Sequence, residues 1–513
     1  MPLIDDIMKM PTIAERVENM KMGRGWRTEP NTIENMDNWF VERHSIKDKK
    51  KHPDKTIVVE KGKKVTDPKT GQAYTTDDKT DTQESNRIAL PIEQDIVNIQ
   101  VGFGVGIEPM LKCEPNDDKE KALLSALNYT MKKNRCKFNN KKEMRAWLAE
   151  QEVAEYWYAS PDTDNFWSKI IKRIASAFGI SKPKSKLKCA IWSPFRGDKL
   201  YPFFEGDDMT GFLREYKVRK AGTTEYITNY MVITKEKVYQ WYYDPTAQGG
   251  YKETVFKHGF AKIPVLYMYR HAPYCMVIKD GRERLEKTLS SYADCIDYHF
   301  FPYLILTGDV KGVGGKLRSH VIEMHGNGAS ASYLTWDQVP DTIKFEVDTY
   351  LELCYSLTNT PRISFENLKG TTAASGVAFK FYFMGAHMQE SNNEEDFGEF
   401  LQRRINFLIS ALGEINSSLR EPSSTIDVET DMVPYMIDNI SDKVTTAVSA
   451  YQGGIWSRKH SMMFVGQMEH IDEELKEIED DESAKAEQNN SGNGSTKDDK
   501  NTTLSPKVAK PLQ

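Results

Sequence analysis

Between Val377 and about Leu419, apolar side chains return at helical spacing with only soft interruptions at Gly385, Ser391-Asn392-Asn393 and Gly398. The pattern predicts one long helix with a kink near one of those breaks. This strut closes a helical block that begins at Asp280. Leu285, Leu289, Tyr292, Ile296 and Phe300 recur there in steps of three and four, an apolar helix face that Pro302 ends. A glycine-rich, hairpin-like stretch runs from Tyr303 to Trp336. Pro340-Asp341 then opens a second helix, capped by Asp341, with Ile343, Val347, Tyr350, Leu351 and Cys354 on one face and Pro361 as its stop. A polar loop, 361–374, leads into the strut.

Upstream, residues 1–40 carry helical spacing at Ile13, Val17 and Met20. Lys47 to Lys64 is lysine-rich, and the stretch on to Ser85 is rich in Thr, Asp and Gly. This reads as an extended or partly disordered arm. Ile88, Ile92, Ile96, Val97 and Ile99 keep helical spacing until Gly102. Helices are expected at 119–134 and 140–152, and a strand at Val153–Ser160. From Leu187 to Tyr269, β-branched and aromatic runs such as Tyr226–Thr234, Lys237–Tyr243 and Ile263–Tyr269 alternate with turn residues. Trp167 to Phe178 is amphipathic and is followed by four lysines. It reads as an exposed insertion covering a neighbouring surface in preference to a membrane-surface helix. Downstream, a strand is expected at Thr425–Val428, helices at 441–451, 457–468 and 470–482, and disorder over 485–513. The class is α+β.

At 513 residues the chain has room for two to four domains. No stretch approaches the roughly 18 apolar residues of a membrane span. Met1 to Lys21 lacks the apolar core and cleavage site of a secretory signal, so maturation in a cytoplasm is expected. Net charge of −6 argues against a protein whose main task is gripping DNA phosphates, but not against one that DNA passes by. The six cysteines form no C-x-x-C pair, which points to free thiols instead of a zinc site or disulfide framework.

Motifs that would carry chemistry fail on spacing. Gly308 to Lys316 resembles a phosphate loop, but Val310 stands where a glycine is needed and Leu317 where Ser or Thr would hold magnesium, so the run reads as a glycine-rich turn. His320 and His325 are five apart and would fall on different faces of a zinc-protease helix. Asp427, Glu429 and Asp431 alternate as in a calcium loop, but Met432 replaces the required glycine. The serines of Gly328 to Ser332 lack the second glycine of a nucleophile elbow. The expectation is a non-enzymatic structural subunit with no cofactor and no metal.

Four stretches in fixed order resemble the portal proteins of tailed double-stranded-DNA bacteriophages. They are Asn86-Arg-Ile-Ala-Leu-Pro-Ile-Glu-Gln-Asp-Ile-Val with Gly102 to Pro109; Lys262-Ile-Pro-Val-Leu-Tyr-Met-Tyr; Leu357-Thr-Asn-Thr-Pro361 with Ser375-Gly-Val-Ala-Phe-Lys380; and Gly454-Ile-Trp-Ser-Arg-Lys-His460 followed by Glu473-Glu-Leu-Lys-Glu-Ile. The likeness covers about 86–484. It implies a portal fold with a β-rich wing, two-helix stem, α/β clip, long kinked helix and helical crown.

The implied divisions are an N-terminal arm at 1–85, wing at 86–277, stem helices at 278–300 and 341–360, and clip at 301–340. A tunnel loop at 361–374, a long helix returning to the wing at 375–440, a crown at 441–484 and a disordered tail at 485–513 complete them. The resemblance also implies a dodecameric ring at the capsid portal vertex of the virion, assembled in the host cytoplasm. Double-stranded DNA would pass through it without sequence specificity. Partners would be the terminase large subunit, the major capsid and scaffolding proteins, and a head-tail connector or adaptor. Lys369, with small neighbours Gly370, Thr371 and Thr372, would touch DNA in the tunnel loop. Lys311, Lys316 and Arg318 would face the motor from the clip. The competing expectation is a membrane-associated or enzymatic α+β protein, supported by the amphipathic segment and the glycine-rich run.

Overall fold

Thr12 and Glu15 cap a helix reciprocally, side chain to backbone, and so start the first of the longer helices of the chain. The computed structural model describes residues 3–66, 73–75, 77–161, 185–220, 222–299, 303–316, 319–334, 340–363, 382–435, 440–466 and 471–491. Its longer helices are α1 (Ile13–Lys21), α2 (Thr32–Trp39), α3 (Ile92–Val105), α4 (Asp118–Lys133), α5 (Cys136–Glu150), α6 (Lys279–His299), α7 (Pro340–Ser356), α8 (Met384–Ile415), α9 (Ile440–Gln452), α10 (Arg458–Val465) and α11 (Ile471–Ser491). The strands are β1 (Lys55–Glu60), β2 (Lys64–Thr66), β3 (Ala73–Thr75), β4 (Lys79–Gln83), β5 (Met110–Lys112), β6 (Glu152–Pro161), β7 (Ser185–Trp192), β8 (Asp198–Glu205), β9 (Asp208–Arg219), β10 (Tyr226–Thr234), β11 (Lys237–Tyr243), β12 (Tyr251–Lys257), β13 (Val265–Tyr269), β14 (Tyr303–Lys316), β15 (Ser319–Leu334) and β16 (Glu429–Asp431). The mixed helix and sheet content agrees with the α+β expectation.

The chain divides into two units, Met1–Tyr435 and Met436–Gln513. In the first, β8 to β12 form an antiparallel five-stranded meander, and β13-β6-β7 form a second sheet. The two sheets face each other across Tyr156, Trp192, Phe212, Ile233, Val238 and Tyr267. The far side of the meander (Tyr201, Phe203, Leu213, Val232, Trp241) is covered by the N-terminal helical segments through Ile4, Ile7, Val17 and Met20. That approach is close enough that a Cβ on Gly211 of β9 would collide with Ile4 Cδ1. The far side of β6, β7 and β13 (Val153, Trp157, Leu187, Leu266, Met268) shares the main core with Phe397, Phe400, Ile405 and Leu408 of α8. The order of layers is therefore helix, sheet, sheet, helix.

α8 is one unbroken helix in spite of Gly385, the Ser391-Asn392-Asn393 run and Gly398. Its buried positions, Ala386, Glu390, Asn393, Phe397, Phe400, Leu401, Arg404, Ile405 and Leu408, recur in steps of three and four. Packing of that stripe outweighs the weak helix preference of Asn and Gly.

Several local expectations differ from the structure. In the 47–85 arm, expected to be extended or partly disordered, the described residues include the strand pairs β1–β4 and β2–β3, which is the extended alternative. The glycines between 308 and 315 lie inside β14, not in a turn, because β15 supplies ladder partners from Lys316↔Ser319 to Tyr303↔Leu334. Register shifts at Thr307/Asp309 and Val310/Gly312 absorb the irregularity. The strand expected at Thr425–Val428 begins only at Glu429, because Pro422–Thr425 is a helical turn. Asp341 lies inside the first turn of α7, not at its cap, since the helix starts at Pro340. α11 continues to Ser491, past the 484 boundary where disorder was expected, through helix formers such as Ala484, Ala486, Glu487 and Gln488.

Candidate assembly and channel elements

α6 and α7 pack as an antiparallel pair at the two ends of the β14–β15 ribbon. Leu285 and Leu289 meet Val347, Tyr350, Leu351 and Cys354 at the edge of the main core. Arg284 of α6 holds Glu346 of α7 at 2.6 Å, and Thr288 donates to the same carboxylate oxygen at 3.2 Å. The ribbon is a two-stranded sheet of its own.

The other side of α6 is polar and grips the segment before α3. Glu286, Ser290 and Asp294 are spaced four apart and so share a face. They accept the backbone N–H groups of Leu90 at 2.9 Å, Ile88 at 2.9 Å and Asn86 at 2.7 Å. An extended chain turns every second N–H the same way, so residues 86, 88 and 90 match the helix's four-residue step. The Asn86 side chain adds bonds to Asp294 and Asp297, and Lys55 pairs with Asp294 at 2.8 Å.

Arg282 is the centre of this anchor. It is fully buried, bonds Glu93 at 2.6 Å and Glu286 at 3.1 Å, and donates to Asn38 at 2.6 Å. His44 Nδ1 lies 2.6 Å from Glu286. Burial works against the Arg282 charge, but Glu93 and Glu286 outweigh it and its pKa is raised. Burial also pushes the Glu93 carboxyl up against the pull of Arg282. At the far end of α7, Tyr355 donates to Asp95 at 2.6 Å and Gln100 donates to Thr360 at 2.8 Å. Both ends of the excursion are therefore tied to α3.

A second buried anchor fixes α8. Arg404 reaches Glu155 on β6 at 2.7 Å, and Glu143 and Asn140 on α5 at 2.5 Å each. Burial, then the charge of Glu155, pushes the Glu143 carboxyl up against the pull of Arg404. Glu143, Glu155 and Cys189 bring ligand atoms within 4.8 Å of one another, the only such group among the described residues. Arg404 already supplies the positive charge between the two carboxylates, so the donor set does not suit an additional cation. Toward the start of α8, Glu390 is 3 % exposed and neither carboxylate oxygen has a hydrogen-bond partner. Burial first, then Glu394, pushes its pKa up to about 7.

The sequence candidates are not gathered into one site. Lys311 and Lys316 fall on β14, Lys316 opposite Ser319 and Lys311 within a register shift. Arg318, Lys369, Gly370, Thr371 and Thr372 lie outside the described residues, as does the amphipathic segment 167–178. His320 and His325 are on strand β15, so they share no helix. Glu429 and Asp431 pair with β5, where Lys112 bonds Asp431 at 2.6 Å. The six cysteines are free thiols, and burial pushes Cys136 and Cys275 up to about 12. No described helix is long and apolar enough to cross a membrane.

Sequence reasoning read the apolar face of α6 and missed its polar one. The available signal was an Arg282–Glu286 pair at four-residue spacing beside a serine and an aspartate in the same register.

Residues 24–488 match a family model described as phage portal protein, SPP1 Gp6-like. A solved structure of the neck of an empty GTA particle, computed with C6 symmetry, aligns with 74 % of this chain and 90 % of its own at 9 % identity and a TM-score of 0.36. No curated protein matches.

Proposed function

The chain belongs to the SPP1 Gp6-like phage portal protein family, and from this we propose that it is the ring-forming structural subunit at one vertex of a phage capsid. The ring would be the channel for genome packaging and ejection. The family match over residues 24–488 carries the reading. It is supported by the excursion 279–356, in which two paired helices lead out to a ribbon bonded within itself and back again.

In this reading 86–277 is the wing, 278–300 and 341–360 the stem, 301–340 the clip and 361–374 the tunnel loop. The stretch 375–440 is the long helix returning to the wing, and 441–484 is the crown. The clip, with Lys311, Lys316 and Arg318, docks the terminase motor and later the head-tail connector. Twelve copies at −6 each give a ring of roughly −70, which keeps the phosphate-binding term small and lets DNA slide. Lys369 then offers one cation per subunit beside Gly370, Thr371 and Thr372, which are small enough for DNA to come near.

Solution mass tests the ring. Twelve copies of a 58.8 kDa chain give roughly 700 kDa as a closed cyclic assembly. A stable monomer with hydrolase activity overturns the reading. Lys369→Glu tests the channel: packaging or genome retention changes while the ring stays assembled, and unchanged packaging removes the DNA-touching role.

A further inference from the structure

The unit Met436–Gln513 leaves an apolar stripe uncovered. On α9, Val444, Val448 and Tyr451 are spaced four and three apart, and Ile455 follows just beyond the helix end, after Gly454 in the left-handed region. Their exposures are 42, 46, 47 and 77 %. No residue from Val444 through Ile455 is charged, in a chain that is 28 % charged overall. Exposed apolar and aromatic side chains without charges among them are the composition of an interface core, not of a solvated helix face. The neighbouring face of α9 is already used. Ala447 is buried, and Lys443 lies 6.0 Å from the centre of the Phe464 ring on α10.

α11 carries a stripe of the same period. Ile471, Leu475 and Ile478 are also four and three apart and only half-buried, while Glu474, Glu477, Glu479 and Asp480 around them are exposed. Equal spacing lets two helices interdigitate side by side at about 8–10 Å. The flanks also agree in sign, with Lys443 and Lys459 on the α9–α10 side and carboxylates on α11. The two stripes sit on different helices of one unit. A contact from α9 of one copy to α11 of the next is therefore head-to-tail, the kind that closes into a ring.

We propose that the Val444, Val448, Tyr451 and Ile455 stripe of one copy packs on the Ile471, Leu475 and Ile478 stripe of its neighbour, making this unit a lateral contact of the ring. The inference rests on the ring-forming reading above.

Paired cysteines in the full chain test it: Val448→Cys with Leu475→Cys, in a Cys295→Ser background that removes the exposed native thiol. Oxidation of the assembled ring is expected to give a ladder of covalent multiples of the 58.8 kDa chain on a denaturing gel. A cross-link confined to single chains, or none, overturns the contact. Because both positions are exposed, Val448→Asp with Tyr451→Asp is expected to leave the monomer's melting curve in place while shifting the solution mass from ring to smaller species. A ring that survives those two substitutions overturns this contact and leaves the portal reading standing. A wild-type chain that never forms a ring overturns both.

Discussion

Arg404 and Glu155 are 249 residues apart in the chain, yet the guanidinium Nε donates to the carboxylate at 2.7 Å and neither side chain reaches solvent. The pair joins the long helix α8 to the sheet strand β6, with Glu143 and Asn140 completing the fork. Arg404→Met leaves two buried carboxylates facing each other without a counter-ion. A loss of about 3–5 kcal/mol is expected, read as a lower midpoint in denaturant unfolding. Arg404→Lys does not restore stability, because an ammonium cannot reproduce three forked bonds.

The polar side of α6 makes separable predictions. Ser290→Ala removes the acceptor for the Ile88 N–H alone, so about 1 kcal/mol is expected. Faster amide exchange should be confined to residues 86–90. Glu286→Ala removes the partner of Arg282, His44 and Leu90 together. It is expected to cost several times as much, about 3–5 kcal/mol, because it removes one of the two carboxylates that hold the buried Arg282 charge, together with the acceptor for Leu90, and leaves Glu93 as the remaining counter-ion. Hydrogen exchange followed by peptide mass distinguishes the two. Equal effects would mean the anchor is not centred on Arg282.

Glu390 sets a pH dependence. Its pKa stands at about 7, above the ordinary carboxylate value of 4.5, because burial and Glu394 both oppose ionisation. The folded state therefore binds its proton more tightly than the unfolded chain does. Stability associated with Glu390 is fully present below the unfolded pKa and is lost as pH rises through the folded one. Glu390→Gln removes that loss. The variant and wild type should melt together below pH 4.5, and the variant should be more stable at pH 8 by on the order of 3 kcal/mol.

Gly104 and Gly102 of α3 offer a matched pair. A Cβ on Gly104 would sit 2.6 Å from Glu390 Oε2 and 2.6 Å from Met144 Cε, whereas one on Gly102 meets nothing within 4 Å. Gly104→Ala should destabilise by about 1–3 kcal/mol through overpacking. Gly102→Ala should be neutral or stabilise by up to about 1 kcal/mol, the helix-propensity gain of Ala over Gly. Thermal unfolding of both variants checks the sign.

What could be read from the amino-acid order was what repeats. The faces of α6, α7 and α8 followed from apolar residues at three- and four-residue steps, and Tyr226–Thr234 and Lys237–Tyr243 came out as the strands β10 and β11. The buried ionic anchors were not legible, because Arg282, Arg404, Glu143 and Glu155 read one at a time are surface residues. Only their position gives them away: Glu390, Asn393 and Arg404 fall on the buried stripe of α8. The Gly308–Gly315 run misled in the other direction. Its strand is imposed by pairing across the ribbon with β15, and tertiary context overrides local preference there.

The alternating grip of Leu90, Ile88 and Asn86 on Glu286, Ser290 and Asp294 has a mechanical meaning. The segment runs antiparallel to α6, with its bonds spread along the helix instead of stacked at one end. A pull along the helix axis loads all three in shear at once, whereas a sideways pull would unzip them in turn. α6 is thus strongest against force directed along its own length, and strain entering at the ribbon would be shared with α3 through residues 86–90 before any single bond gave way.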